Sequence, residues 1–83
     1  MEIRNIKTFI KAAETGNFTK TADELGYSQG TVTLQIKQLE DELGVPLFNR
    51  TGKRIELSEK GREFMNYAYS IVKTEAEARS AME

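Results

Sequence analysis

The chain has 83 residues, 39% of them apolar and 30% charged, with one proline, no cysteine, no histidine and a formal net charge of −1. That is the balance of one small folded domain, and it excludes disulfides, thiol chemistry, ordinary zinc sites and histidine acid–base catalysis. No apolar run approaches the roughly 20 residues that span a membrane and no signal-peptide core opens the chain, so a cytoplasmic protein is expected.

Residues 3 to 14 set Ile3, Ile6, Ile10 and Ala13 on one helical face, with Phe9 beside it and Arg4, Lys7, Lys11 and Glu14 outside. This pattern predicts an amphipathic first helix. Gly16 ends it, Phe18 follows as a buried plug, and Thr19 is placed to cap a short second helix running to Leu25. Ala22 is small enough for another helix to cross closely, and Gly26 supplies the positive φ of a tight turn. Ser28 then accepts free amides at the start of a third helix over 28 to 43. The spacing of Ala22, Gly26 and Val32 is that of a helix-turn-helix.

Within the third helix, Val32, Ile36, Leu39 and Leu43 recur at i, i+4, i+7 and i+11 as a core-facing stripe. Gly30, Thr33, Leu34 and Lys37 lie opposite, flanked by Gln29, Thr31 and Gln38, and no acid interrupts this outer face before Glu40. Such a face suits the major groove of DNA. Gln29 can pair bidentately with adenine, Thr31 and Thr33 can reach base edges or phosphate, and Leu34 can meet a thymine methyl, with Gly30 among them. Glu40, Asp41 and Glu42 sit at the far end, away from phosphate.

Gly44 stops this helix and Pro46 keeps it from continuing. Leu47 and Phe48 close the core. Two short strands, 47 to 50 and 53 to 57, are expected around a Thr51-Gly52 tip, with Ile55 and Leu57 alternating with Arg54 and Glu56. The hairpin is a basic wing, since Arg50, Lys53 and Arg54 put three positive charges into five residues. Lys53 suits insertion into a narrow minor groove, and Arg50, Thr51 and Arg54 suit the phosphates. Thr19, Lys20 and Ser28, at helix starts, and Lys37 are further candidates for backbone contact.

Ser58 is placed to cap, and Glu59 to open, a last helix of about 58 to 83, roughly 37 Å long and too long for the body to cover. Phe64 and Met65 suit folding back onto the domain. Ala68, Ile71, Val72, Glu75, Ala78 and Met82 are expected to pair with a second copy in two-fold symmetry, antiparallel or crossed.

From Ile3 to about Phe64 the chain resembles the N-terminal domain of LysR-type transcriptional regulators. The likeness is carried by IRNIKTFIKAAETGNFTKTADELGYSQ, Leu39-Glu40, Leu43-Gly44-Val45, Leu47-Phe48 with Arg50, Lys53-Arg54, and Leu57-Ser58-Glu59 with Gly61. Three positions depart from the family habit: Gly30 where proline or serine is common, Leu34 where a basic or polar residue is common, and Lys60 where alanine is usual. The first two bear on base preference and not on the fold.

The resemblance implies a mainly α fold. Residues 1–58 would form a winged helix-turn-helix of three helices and a two-stranded β-hairpin, and 59–83 a linker and dimerisation helix. It also implies sequence-specific binding of double-stranded DNA by a homodimer on a pseudo-palindromic operator, with no cofactor or metal. Family members typically continue into an effector-binding domain, so a chain stopping at Glu83 reads as a DNA-binding fragment. A small-molecule effector would then act only through the missing C-terminal domain. The rival from another class is a winged helix used as a protein-interaction module through the Leu34 side, favoured by the net acidity. An enzyme finds no His, no Cys, no Gly-rich phosphate loop and no paired carboxylates in a cleft.

Overall fold

The elements run α1 (Ile3–Thr15), α2 (Phe18–Leu25), α3 (Gln29–Leu43), β1 (Phe48–Thr51), β2 (Arg54–Leu57) and α4 (Glu59–Ala81), in a computed structural model that describes residues 1–52 and 54–83. The fold is the mainly helical winged helix-turn-helix that the sequence predicts. Lys53, the expected minor-groove residue, lies outside the described residues.

Helix ends follow local chemistry. Gly16, Gly26 and Gly44 close α1, α2 and α3 in the left-handed region, at φ of 70°, 75° and 73°, where a side chain would be strained. Ser28 accepts the Thr31 amide and Ser58 the Gly61 amide, so both predicted serine caps are present. The cap of α2 is a correction: it is Asn17, whose Oδ1 accepts the Lys20 amide at 2.9 Å, and Thr19 sits exposed in the first turn. Phe18 is the reason. Inside α2 its ring is buried and meets Phe48 edge-on at 5.8 Å, which places the start of the helix before it.

The core joins all elements. Ile6, Phe9 and Ala12 of α1 meet Val32, Ile36 and Leu39 of α3, and Ala22 is buried at their crossing with α2. Leu43, the last member of the α3 stripe, is only half-buried. Phe9 is the hub, its ring 5.4 Å from Phe48 of β1 and 5.3 Å from Phe64 of α4. The hairpin pairs Phe48 with Leu57 and Thr51 with Arg54. Thr51 is therefore the last strand residue and not part of the tip. The Ser58 amide still donates to the Leu47 carbonyl at 2.9 Å, but the return bond is absent because the Leu47 amide goes to Glu40 at 2.6 Å and the Ser58 carbonyl accepts the Arg62 amide of α4, so strand β1 begins at Phe48. An Ile55 amide bond to the Gly16 carbonyl at 3.1 Å ties the wing to the end of α1.

Helix α4 has 23 residues, about 34 Å at 1.5 Å per residue. Its first half belongs to the same core, with Phe64 and Met65 packed against it, and Ile71 and Val72 just past the midpoint still touch it with one side. Ala68, expected to face a partner, is 0% exposed within its own domain; its small side chain lets α4 lie close to the body. From Lys73 onward only Glu75 is partly covered.

Candidate functional site

Helix α3 turns its N-terminal half outward. Gln29 and Gly30 are exposed, Thr31 and Thr33 half-buried, and Leu34 is 55% exposed. The Thr31 hydroxyl is not free: it bonds the Ser28 hydroxyl at 3.0 Å while Ser28 also accepts the Thr31 amide. Gln29 and Leu34 are thus the open side chains of the face. Lys37, one turn on, is exposed and pairs with Asp41 at 3.3 Å.

Three separate segments bring the N-terminal turns and the wing together. Asn17, Thr19, Gln29, Arg50 and Gly52 line one cleft. Arg50 lies over the Phe18 ring, 5.2 Å from its centroid, which holds its guanidinium beside the start of α2 while leaving its donors in solvent. Thr51 and Arg54, paired at the end of the hairpin, and Lys20 are exposed. Amide and hydroxyl groups on a helix face, flanked by guanidinium groups, form a surface that can hydrogen-bond base edges and phosphates together.

The acids beyond this face are engaged elsewhere. Glu40 is half-buried against the Leu47 amide, Asp41 pairs with Lys37, and Glu42 lies 3.2 Å from the Met1 amino group. Along α4, Glu75 pairs with Arg79. That hydrogen bond draws the Glu75 carboxyl below the usual carboxylate range and raises the Arg79 guanidinium. Of the proposed pairing residues, Ala78 and Met82 are exposed, Ile71 and Val72 half-buried.

Sequence periodicity missed the polar seam that seats α3. The Thr8 hydroxyl donates to Gln35 Oε1 at 2.6 Å with both residues buried, and Asn5 donates to Gln38 at 3.3 Å. The available signal was polar Asn5 and Thr8 interleaved, three apart, with the apolar face of α1. Among the described residues, no buried side-chain polar atom lacks a partner, and no helix is long and apolar enough to cross a membrane.

The profile described as "Bacterial regulatory helix-turn-helix protein, lysR family" matches residues 3–62, from the first turn of α1 into α4. The chain belongs to the LysR family. LysR-family regulators are transcriptional regulators and not enzymes. The HTH-type transcriptional regulator YwqM of Bacillus subtilis (strain 168) is 52% identical to it over 81 residues, covering 98% of this chain and 28% of YwqM. A crystal structure of the CbnR_DBD–DNA complex matches at a TM-score of 0.87 and 37% identity, covering 100% of both chains. Full-length CbnR in complex with its target DNA matches at a TM-score of 0.94 and 36% identity, over 99% of this chain and 28% of CbnR. The LysR-family chain described here therefore spans a little over a quarter of the length of YwqM and of full-length CbnR.

Proposed function

We propose that this chain is the DNA-reading part of a LysR-type transcription regulator and binds double-stranded DNA with sequence preference. The carrying observation is the exposed, acid-free N-terminal half of α3 beside the arginine-bearing hairpin. In this reading Gln29, Gly30, Thr33 and Leu34 meet base edges in the major groove, and Thr31 meets a phosphate through its cap with Ser28. Thr19, Lys20, Arg50, Thr51 and Arg54 hold the backbone. Lys37 joins them by exchanging Asp41 for a phosphate.

A formal net charge of −1 cannot retain DNA by counterion release alone. Two copies joined through the outer part of α4, at Ile71, Val72, Glu75, Ala78 and Met82, supply the second half of a pseudo-palindromic site. Residues 59–83 are then a linker helix whose first turns are shared with the DNA-reading body. In this reading a full-length regulator works in the cytoplasm and ligand regulation lies outside these residues; that YwqM and full-length CbnR are each matched over only 28% of their length leaves room for it.

Selection of bound sequences from a random DNA pool tests the reading. It should return two related half-sites, with Gln29→Ala losing discrimination at one base pair per half-site, worth about 1 to 3 kcal/mol. A Gln29→Ala profile identical to wild type at every position overturns the assignment of Gln29. A pool with no enriched sequence overturns the function.

A further inference from the structure

Between α3 and α4 the chain makes a close polar joint. Glu40 Oε2 accepts the Leu47 amide at 2.6 Å, and the Leu47 carbonyl accepts the Ser58 amide at 2.9 Å. The Ser58 hydroxyl donates to the Pro46 carbonyl at 2.8 Å and accepts the Gly61 amide at 3.0 Å. Gly61 presses so closely that an added Cβ would stand 2.0 Å from the Leu47 oxygen. Leu47 itself is fully buried. The two residues Pro46 and Leu47 are thus gripped from one side by the C-terminal turn of α3 and from the other by the N-terminal turn of α4. A single carboxylate, that of Glu40, supplies the α3 side of the grip.

We propose that this joint fixes the distance and rotation between the two reading helices of a DNA-bound pair, with Glu40 as its positioning residue. The inference rests on the two-copy reading given above. Each base pair added between half-sites moves the second one about 3.4 Å along the duplex and turns it by about 35°. A pair whose α3 helices are rigidly set against their α4 helices tolerates one spacing. A pair with a loose joint tolerates several. Glu40 lies three turns along α3 from Gln29 and its carboxylate is taken up by the Leu47 amide, so its loss changes the geometry of the pair and not the contacts within one half-site.

The test uses the 83-residue chain on duplexes carrying one selected half-site, or two at spacings varied one base pair at a time. Wild type should favour one spacing by about 100-fold over its neighbours two base pairs away. Glu40→Ala should bind the single half-site within about twofold of wild type, with contrast between spacings reduced to about threefold. Glu40→Gln, which keeps an oxygen that can accept the Leu47 amide, should restore most of the contrast. An unchanged contrast in Glu40→Ala overturns the role of the joint. So does an equal loss on single and paired half-sites, which is the mark of general destabilisation. A wild-type chain that binds half-sites without spacing preference overturns the inference and leaves base reading standing. A wild-type chain that binds no DNA removes the proposed function and the inference together.

Discussion

Gly61 and Gly30 both stand near the start of a helix, and their surroundings give them opposite roles. A Cβ at Gly61 would collide with the Leu47 oxygen and touch Leu57, whereas one at Gly30 would find only the Ser28 hydroxyl at 3.9 Å. Gly61→Ala should therefore cost about 3 kcal/mol in urea unfolding, while Gly30→Ala should add about 0.5 to 1 kcal/mol by stiffening the first turn of α3. The same measurement separates the two cap candidates of α2: Asn17→Ala should cost about 1 kcal/mol and Thr19→Ala at most a few tenths. The glycine stops and the serine caps were legible in the sequence because their chemistry is local. Asn17 was not, since asparagine and threonine two residues apart are both good caps. The choice between them is made by burial of Phe18 against Phe48, a contact between residues 30 positions apart.

Helix α1, helix α3 and the hairpin were each placed by periodicity and turn residues, with boundaries shifted by one position. At the start of β1 the shift has a tertiary cause: the Leu47 amide is drawn to Glu40 and the Ser58 carbonyl to α4, so Leu47 and Ser58 keep only one of their two cross-strand bonds. The Thr8–Gln35 bond escaped for a related reason. An apolar stripe marks which way a helix faces, and it is silent on which polar neighbour completes the seam. In the candidate site, the exposed Gln29 and Leu34 were readable from the pattern, but the stacking of Arg50 on Phe18 needed the folded chain. At this scale the wing yields a salt-dependence prediction. Arg50→Ala should reduce the slope of log affinity against log salt by about one unit, with base preference unchanged. An unaltered slope would leave Arg50 as a packing residue.

The whole molecule measures 44 by 27 by 19 Å, its long dimension set by α4 outrunning the body. Ala68 at 0% exposed shows that the first half of α4 is claimed by its own domain, so the proposed association of two copies falls to the outer half. Ala78 and Met82 are fully outside the core, and changing both to glutamate should leave the fold intact. Sedimentation of the double variant should show a dimer dissociation constant raised by about tenfold or more, a cost of about 1.4 kcal/mol. Affinity for a single half-site should be unchanged.

The Phe9 hub carries one more consequence. Its contacts with Phe48 and Phe64 tie hairpin, α1 and the base of α4 together, and no comparable apolar anchor lies beyond Val72. Opening of the final turns of α4 therefore does not require the body to unfold. In dilute solution the amides of the last two turns should exchange with solvent deuterium within seconds, whereas those of α1 and the base of α4 should open only with global unfolding. Raising the protein concentration should slow the terminal amides and leave the interior ones unchanged. A protection gradient that steepens or flattens with concentration along this one helix is then a residue-by-residue test of the proposed pairing.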